Sequence, residues 1–186
     1  MKKLIGLIIL YIGICFLAVS GYQFWNQHKG HMQSMQKMDR SFKKNKIEEK
    51  EYKPLENEVI GKLSIPKINV NLPIIEGTDE EDLKKGVGHY SASALPGEND
   101  QILLSGHRDT VFRRFDEIKI GDHLLVELPY GKYEYEIKKT KIVPAHDTTV
   151  IRSTAPKEVL LVSTCYPFRY IGNAPDRFIV YAYPIK

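Results

Sequence analysis

Cysteine is nearly absent. Only Cys15 and Cys165 occur in the 186 residues, and Cys15 falls inside an uncharged apolar run. The rest of the chain therefore has no pair from which to build a disulfide framework. Metal binding is poorly supported on the same ground, since no second cysteine is available and the histidines of the folded part show no ligand spacing such as His-x-x-x-His. His28 and His31 are three apart, but they sit in a polar stretch outside it. No compact carboxylate cluster suggests a calcium site. No cofactor or metal is expected. Strong charge is lacking too: the formal net charge is +4, with a pI near 8.9, and the lysines are interspersed with Asp and Glu. This is not the basic footprint of a nucleic-acid binder.

What the N-terminus has instead is a single long apolar span. Lys2 and Lys3 precede residues Leu4 to Tyr22, which carry no charge and are dominated by Leu, Ile, Val, Phe and Gly. At about 1.5 Å per residue such a helix nearly crosses a hydrocarbon core of roughly 30 Å. Tyr22, Phe24 and Trp25 fall where an interfacial aromatic belt would lie. Lysines before the span keep the N-terminus in the cytoplasm and place the remainder outside the cell membrane. Ala18-Val19-Ser20 also has the small-x-small form of a signal cleavage site, but the uninterrupted Leu4–Val19 run is at or past the usual length of a signal, which favours an uncleaved anchor. Both readings export the domain.

Three regions follow: residues 1–25 as cytoplasmic tip and transmembrane anchor, 26–57 as an extracytoplasmic linker, and 58–186 as one folded domain. The linker is rich in Lys, Glu, Gln, Met and Asn. Met32, Met35, Met38 and Phe42 recur at helical spacing, although a solvated spacer is the simpler reading. Within the domain, Val59 to Pro66 and Lys67 to Ile74 alternate apolar and polar residues as half-buried strands do, with Ile68, Val70, Leu72 and Ile74 on one face. Thr78 is expected to cap a helix over the acidic stretch that follows, and Val111–Phe115 to form one or two helical turns. Further strands are expected at Gln101–Ser105, His123–Leu128, Tyr133–Val143, Val159–Ser163 and Arg177–Tyr183. About eight short strands, few helices and many turns point to a mainly β barrel or sandwich, without internal repeats.

One strand end stands out. Leu160-Leu161-Val162 runs into Ser163-Thr164-Cys165 and stops at Pro167, which sets a lone thiol on a stiff base. A buried structural cysteine is the bland alternative. His107 follows Gly106 just past the apolar strand Gln101–Ser105, and Arg177 opens the strand after Cys165, with eleven residues between Cys165 and Arg177 to return the chain alongside. A thiolate is the attacking form of cysteine, an imidazole can give and take the proton, and an arginine keeps its charge to stabilise an oxyanion. Asp109 either completes a Cys-His-Asp set or caps a helix starting at Thr110 or Val111. His107 alone could belong to a hydrogen-bonded turn, and Arg177 could pair with Asp176 at the surface. His89, His123 and His146 have no evident companion and are read as structural.

Four blocks in order carry a resemblance. Ile65-Pro66-Lys67-Ile68 with Leu72-Pro73-Ile74 and Glu76-Gly77, then Gly106-His107-Arg108-Asp109-Thr110, Ser163-Thr164-Cys165-Tyr166-Pro167-Phe168, and Ala174-Pro175-Asp176-Arg177-Phe178 are similar to the sortases of Gram-positive bacteria. The details around the cysteine resemble class D. The resemblance implies an eight-stranded sortase-type β-barrel with short helices behind one transmembrane helix. It also implies a membrane-anchored cysteine transpeptidase. Such an enzyme cleaves an LPxT-type C-terminal sorting signal of surface proteins through a Cys165 thioester and transfers the protein to a peptidoglycan precursor amine. His107 would be the acid/base and Arg177 the stabilising cation. Leu161 stands where many sortases have the first threonine of Thr-Leu-x-Thr-Cys, which loosens inference about the exact signal. A hydrolysing cysteine endopeptidase and a non-catalytic anchored β-domain that binds wall components are the alternatives. The Ser-x-Gly-Cys block of L,D-transpeptidases is missing.

Overall fold

A computed structural model describes residues 3–22, 25 and 51–185. Helix α1 (Lys3–Tyr22) is long and apolar enough to cross a membrane. The methionine and phenylalanine pattern of the linker and its two histidines lie outside the described residues.

From Val59 onward the chain closes into a barrel of eight strands in the order β1-β2-β3-β4-β7-β8-β6-β5. The strands are β1 (Val59–Ile65), β2 (Val70–Glu76), β3 (Val87–His89), β4 (Gln101–Gly106), β5 (His123–Leu128), β6 (Gly131–Pro144), β7 (Val159–Tyr166) and β8 (Asp176–Pro184). Neighbours pair antiparallel except at two seams, β2 with β3 and β4 with β7. Closure leaves no free sheet edge, the usual hazard of an all-β domain.

The pleat decides which side chains meet. On β5, Leu124, Val126 and Leu128 are buried while His123 and Leu125 are exposed, the alternation of a strand with one wet face. β7 differs because both of its faces are covered. Leu160 and Val162 enter the main core inside the barrel, with Leu63, Ile102, Leu104, Tyr135 and Val180. Val159 and Leu161 join a second cluster on the outer face, with Leu103, Val143 and Ile179, under Val150 of the β6–β7 loop. That explains its unbroken apolar run.

Several local expectations are corrected. Strand structure does not begin at Lys67: Pro66–Ile68 is a single 3-10 turn that ends at Asn69 in the left-handed region (φ 52°), so Ile68 plugs the core from a turn and β2 starts at Val70. The helix α2 (Glu80–Leu83) has Asp79, not Thr78, at its N-cap, and no side chain caps it. Residues 111–114 form turns, followed by a 3-10 turn at Phe115–Glu117. Strand β3 escapes periodicity because it has only three residues, all buried. β7 extends through Cys165 to Tyr166, so the cysteine lies within the ladder, one residue short of its end.

Candidate active site

The parallel seam between β4 and β7 and the antiparallel pair β7–β8 bring the expected residues into one row. In β4–β7 the register ends at Gly106↔Thr164, so the next residue of each strand is His107 and Cys165. Thr164 Oγ1 donates to the Gly106 carbonyl across this seam at 2.8 Å, a buried bond that holds the register. In β7–β8, Cys165 and Arg177 are direct partners. Directly opposed residues have Cβ atoms roughly 4.5–5.5 Å apart on one face of the sheet. Cys165 shares its face with Leu161, and Arg177 with Ile179, both of the outer cluster. Cys165 and Arg177 therefore face outward from the barrel, and both, like His107, are half-buried.

Gly106 permits the chain to turn here. A Cβ on it would meet Phe112 Cε2 at 2.5 Å and Val111 Cγ2 at 2.7 Å, so the turn carrying His107 packs onto the strand end only if residue 106 has no side chain. Phe112, fully buried, closes that turn by donating its N–H to the His107 carbonyl at 3.1 Å.

Bonding at the three residues is sparse. Among the described residues, neither the His107 ring nor the Cys165 sulfur has a hydrogen-bond or ion-pair partner. The Arg177 guanidinium donates to the carbonyls of Ala174 (3.3 Å) and Asp176 (3.0 Å) and not to the Asp176 carboxylate, so the surface ion pair does not form. Nor does Asp109 complete a triad or cap a helix. Its carboxylate is exposed and sits 3.4 Å from Arg108 Nε, while its carbonyl accepts from the Arg113 guanidinium.

Two of the histidines read as structural, His89 and His123, do have companions. His89 is buried with Nδ1 2.7 Å from Glu76 Oε2 and Nε2 3.0 Å from the Ala94 carbonyl. His123 Nδ1 lies 2.7 Å from Glu134 Oε1 at the surface. Among the described residues no group of three or more His, Cys, Asp or Glu is placed to hold a metal ion.

Sequence reasoning missed the residues that hold the β6–β7 loop, at the opposite end of β4 from the row. Asp100, just before β4, accepts from the N–H groups of Thr154 (2.5 Å) and Ala155 (3.1 Å) and from Ser153 Oγ (2.9 Å). The Thr154 N–H first, then those of Gln101 and the Ser153 hydroxyl, hold its carboxyl below the usual aspartate range. Gln101 donates to the Val150 carbonyl and accepts from the Arg152 N–H. Together they pin the β6–β7 loop beside the outer cluster. Only their position at a strand start could have drawn attention to them.

Two grooves lie at the row's end of the barrel. One, of about 540 Å³, is lined by Tyr166, Phe168 and Phe178 with Phe115, Ile118, Ile120, Thr140 and Ile142 among others. The second, of about 520 Å³, is lined by Arg108, Asp109, Arg113, Arg114 and Arg169 with Phe168 and acidic neighbours. Neither is lined by Cys165, His107 or Arg177. Tyr166 and Phe178 have the inward parity of β7 and β8, so the first groove is the mouth of the barrel and not the outer face.

Residues 63–185 match the family model described as the sortase domain. The chain is 45% identical to Sortase D of Bacillus subtilis, over 97% of this chain and 98% of that protein. Among solved structures, a Sortase D5 transpeptidase of Clostridium perfringens superposes with a TM-score of 0.76 at 26% identity, over 85% of this chain and 99% of that one. Sortase C1 of Streptococcus agalactiae superposes with a TM-score of 0.65 at 28% identity, over 71% and 70% of the two chains.

Proposed function

The chain belongs to the sortase family as a sortase-type cysteine transpeptidase of class D, and we propose that it joins a surface protein to peptidoglycan through a thioester on Cys165. The observation that carries this reading is the register: the residue after Gly106, the residue after Thr164 and the direct partner of Cys165 are an imidazole, a thiol and a guanidinium.

In the first half-reaction Cys165 Sγ, as thiolate, attacks the carbonyl carbon of the threonine in an LPxT-type sorting signal. An S–C bond forms, the C–N bond breaks, and the departing amine takes a proton from His107. Arg177 faces the negative charge that builds on the carbonyl oxygen, and it cannot lose its proton. In the second half, an amine of a cell-wall precursor attacks the thioester, gives a proton to His107 and releases the thiolate. One amide replaces another, so no oxidant, metal or cofactor is required. A partly exposed thiol, with His107 next in register on the neighbouring strand, suits this cycle, since a sealed cysteine could not admit a peptide.

Helix α1 would anchor residues 58–186 to the outer side of the cell membrane with the N-terminus in the cytoplasm, beyond the linker of residues 26–57. Incubating the protein with a fluorescent LPxT peptide and an amine nucleophile tests the reading. Cleavage with a transfer product is expected from the wild type, and loss of at least ~1,000-fold in the Cys165→Ala variant. Cleavage by the wild type that yields only hydrolysed peptide would favour an endopeptidase, and normal turnover by Cys165→Ala would end the proposal.

A further inference from the structure

Arg108 follows His107 in the chain, yet it turns the other way. Its side chain is only 6% exposed. Its guanidinium donates to three main-chain carbonyls, those of Pro167 (3.2 Å), Tyr170 (2.7 Å) and Gly172 (2.9 Å). All three belong to the β7–β8 loop, the segment that leaves the strand of Cys165 and returns with Arg177. Gly172 adopts a left-handed backbone (φ 96°) there, and the Tyr170 ring lies 5.8 Å from the guanidinium carbon.

The electrostatics make this arrangement expensive for a packing role. A guanidinium nearly out of water is held by carbonyl dipoles, and among the described residues the carboxylate within ion-pair distance is Asp109, at 3.4 Å and 73% exposed. Burying a cation without a close buried counterion costs free energy that a leucine or methionine of similar length would not. What the planar fork provides, and an apolar side chain does not, is simultaneous attachment to several points of one loop. That loop is otherwise exposed from Arg169 to Asn173, with Ile171 wholly in solvent.

We propose that Arg108 is a positioning residue for catalysis: it staples the β7–β8 loop to the turn of His107, so that one side chain ties together the three segments carrying His107, Cys165 and Arg177. The assignment rests on the active-site reading above for its catalytic consequence, but the staple itself is a physical attachment that can be tested without a substrate. Lysine has one ammonium and cannot span the three carbonyls, so charge and attachment are separable.

The test uses the full chain and its Arg108→Lys and Arg108→Gln variants in two measurements. The first is the kcat and KM split on the LPxT peptide, with thermal melting to verify folding. The second is limited trypsin digestion, read by mass spectrometry at the bond after Arg169, whose side chain is 93% exposed. Both variants are expected to lose at least ~10-fold in kcat with KM within about twofold, because reacting groups are misplaced while the substrate is still bound. Nicking after Arg169 is expected to accelerate at least ~5-fold, since the loop opens locally without global unfolding. If the glutamine variant does not fold, the lysine variant decides. A folded lysine variant with the wild-type kcat, a loss confined to KM, or an unchanged rate of nicking would each overturn the proposal. A wild type that leaves the peptide uncut removes the functional reading instead, and nicking then accepts or rejects the staple alone.

Discussion

His89 and His107 stand at the ends of the two parallel seams of one barrel, and they have opposite surroundings. At the β2–β3 seam, Glu76 and His89 are register partners, both buried, and both ring nitrogens of His89 face acceptors. At the β4–β7 seam the register ends one residue before His107, which is half-buried and whose ring has no hydrogen-bond partner among the described residues. A histidine whose nitrogens are both occupied can brace two strands but cannot carry a proton to a substrate. One left open beside a thiol can do the reverse. On the proposed reading the same side chain type serves stability at one seam and chemistry at the other, and the difference lies in what the next strand presents to it.

Substitution at the two histidines should therefore give opposite results. Replacing His107 by alanine is expected to lower kcat/KM by ~100- to 10,000-fold, the range of a lost general acid–base, with the melting temperature nearly unchanged. Replacing His89 by alanine strands the Glu76 carboxylate in the core and is expected to cost ~3 kcal/mol or more in a denaturant titration, while the folded fraction keeps near-normal kcat. Equal effects of both substitutions on turnover would break the comparison. Arg177→Ala tests the next member of the row, with an expected loss of ~100- to 1,000-fold in kcat if it stabilises the oxyanion. Gly106→Ala should be smaller and mixed: the new methyl must push against Phe112, at a cost of ~1–3 kcal/mol, and activity should fall as the His107 turn shifts.

The smallest expected effect concerns Asp100 and pH. Its carboxyl is held below the ordinary aspartate value by the Thr154 and Gln101 N–H groups and the Ser153 hydroxyl. A depressed carboxylate contributes stability that is present above its unfolded pKa and lost as pH falls through the folded one. In Asp100→Asn the β6–β7 loop should be loosened at neutral pH, and the wild type should approach the same looseness only in acid. Hydrogen exchange at Thr154 and Ala155 against pH would measure this.

Much of the fold and the candidate row was legible in the residues because both are written in local pattern. Alternation marks β1 and β5, and the apolar run ending in Thr164-Cys165 marks β7. What was not legible depends on partners distant in sequence. The Glu76–His89 pair spans 13 residues and becomes a pair only when β2 lies beside β3, itself too short to show a period. Arg108 reads as one more surface cation until the β7–β8 loop, 59 to 64 residues away, supplies three carbonyls. Lys67 misled because alternation continued through Pro66, whereas the proline and the left-handed Asn69 turn the chain.

The most direct test of the row is the chemistry of its sulfur. After brief incubation with an LPxT peptide, digestion and mass spectrometry should find the acyl fragment on the peptide containing Cys165, at a level that falls when an amine nucleophile is added. Product formation with no adduct on Cys165, or with the acyl group on Cys15, would contradict the assignment.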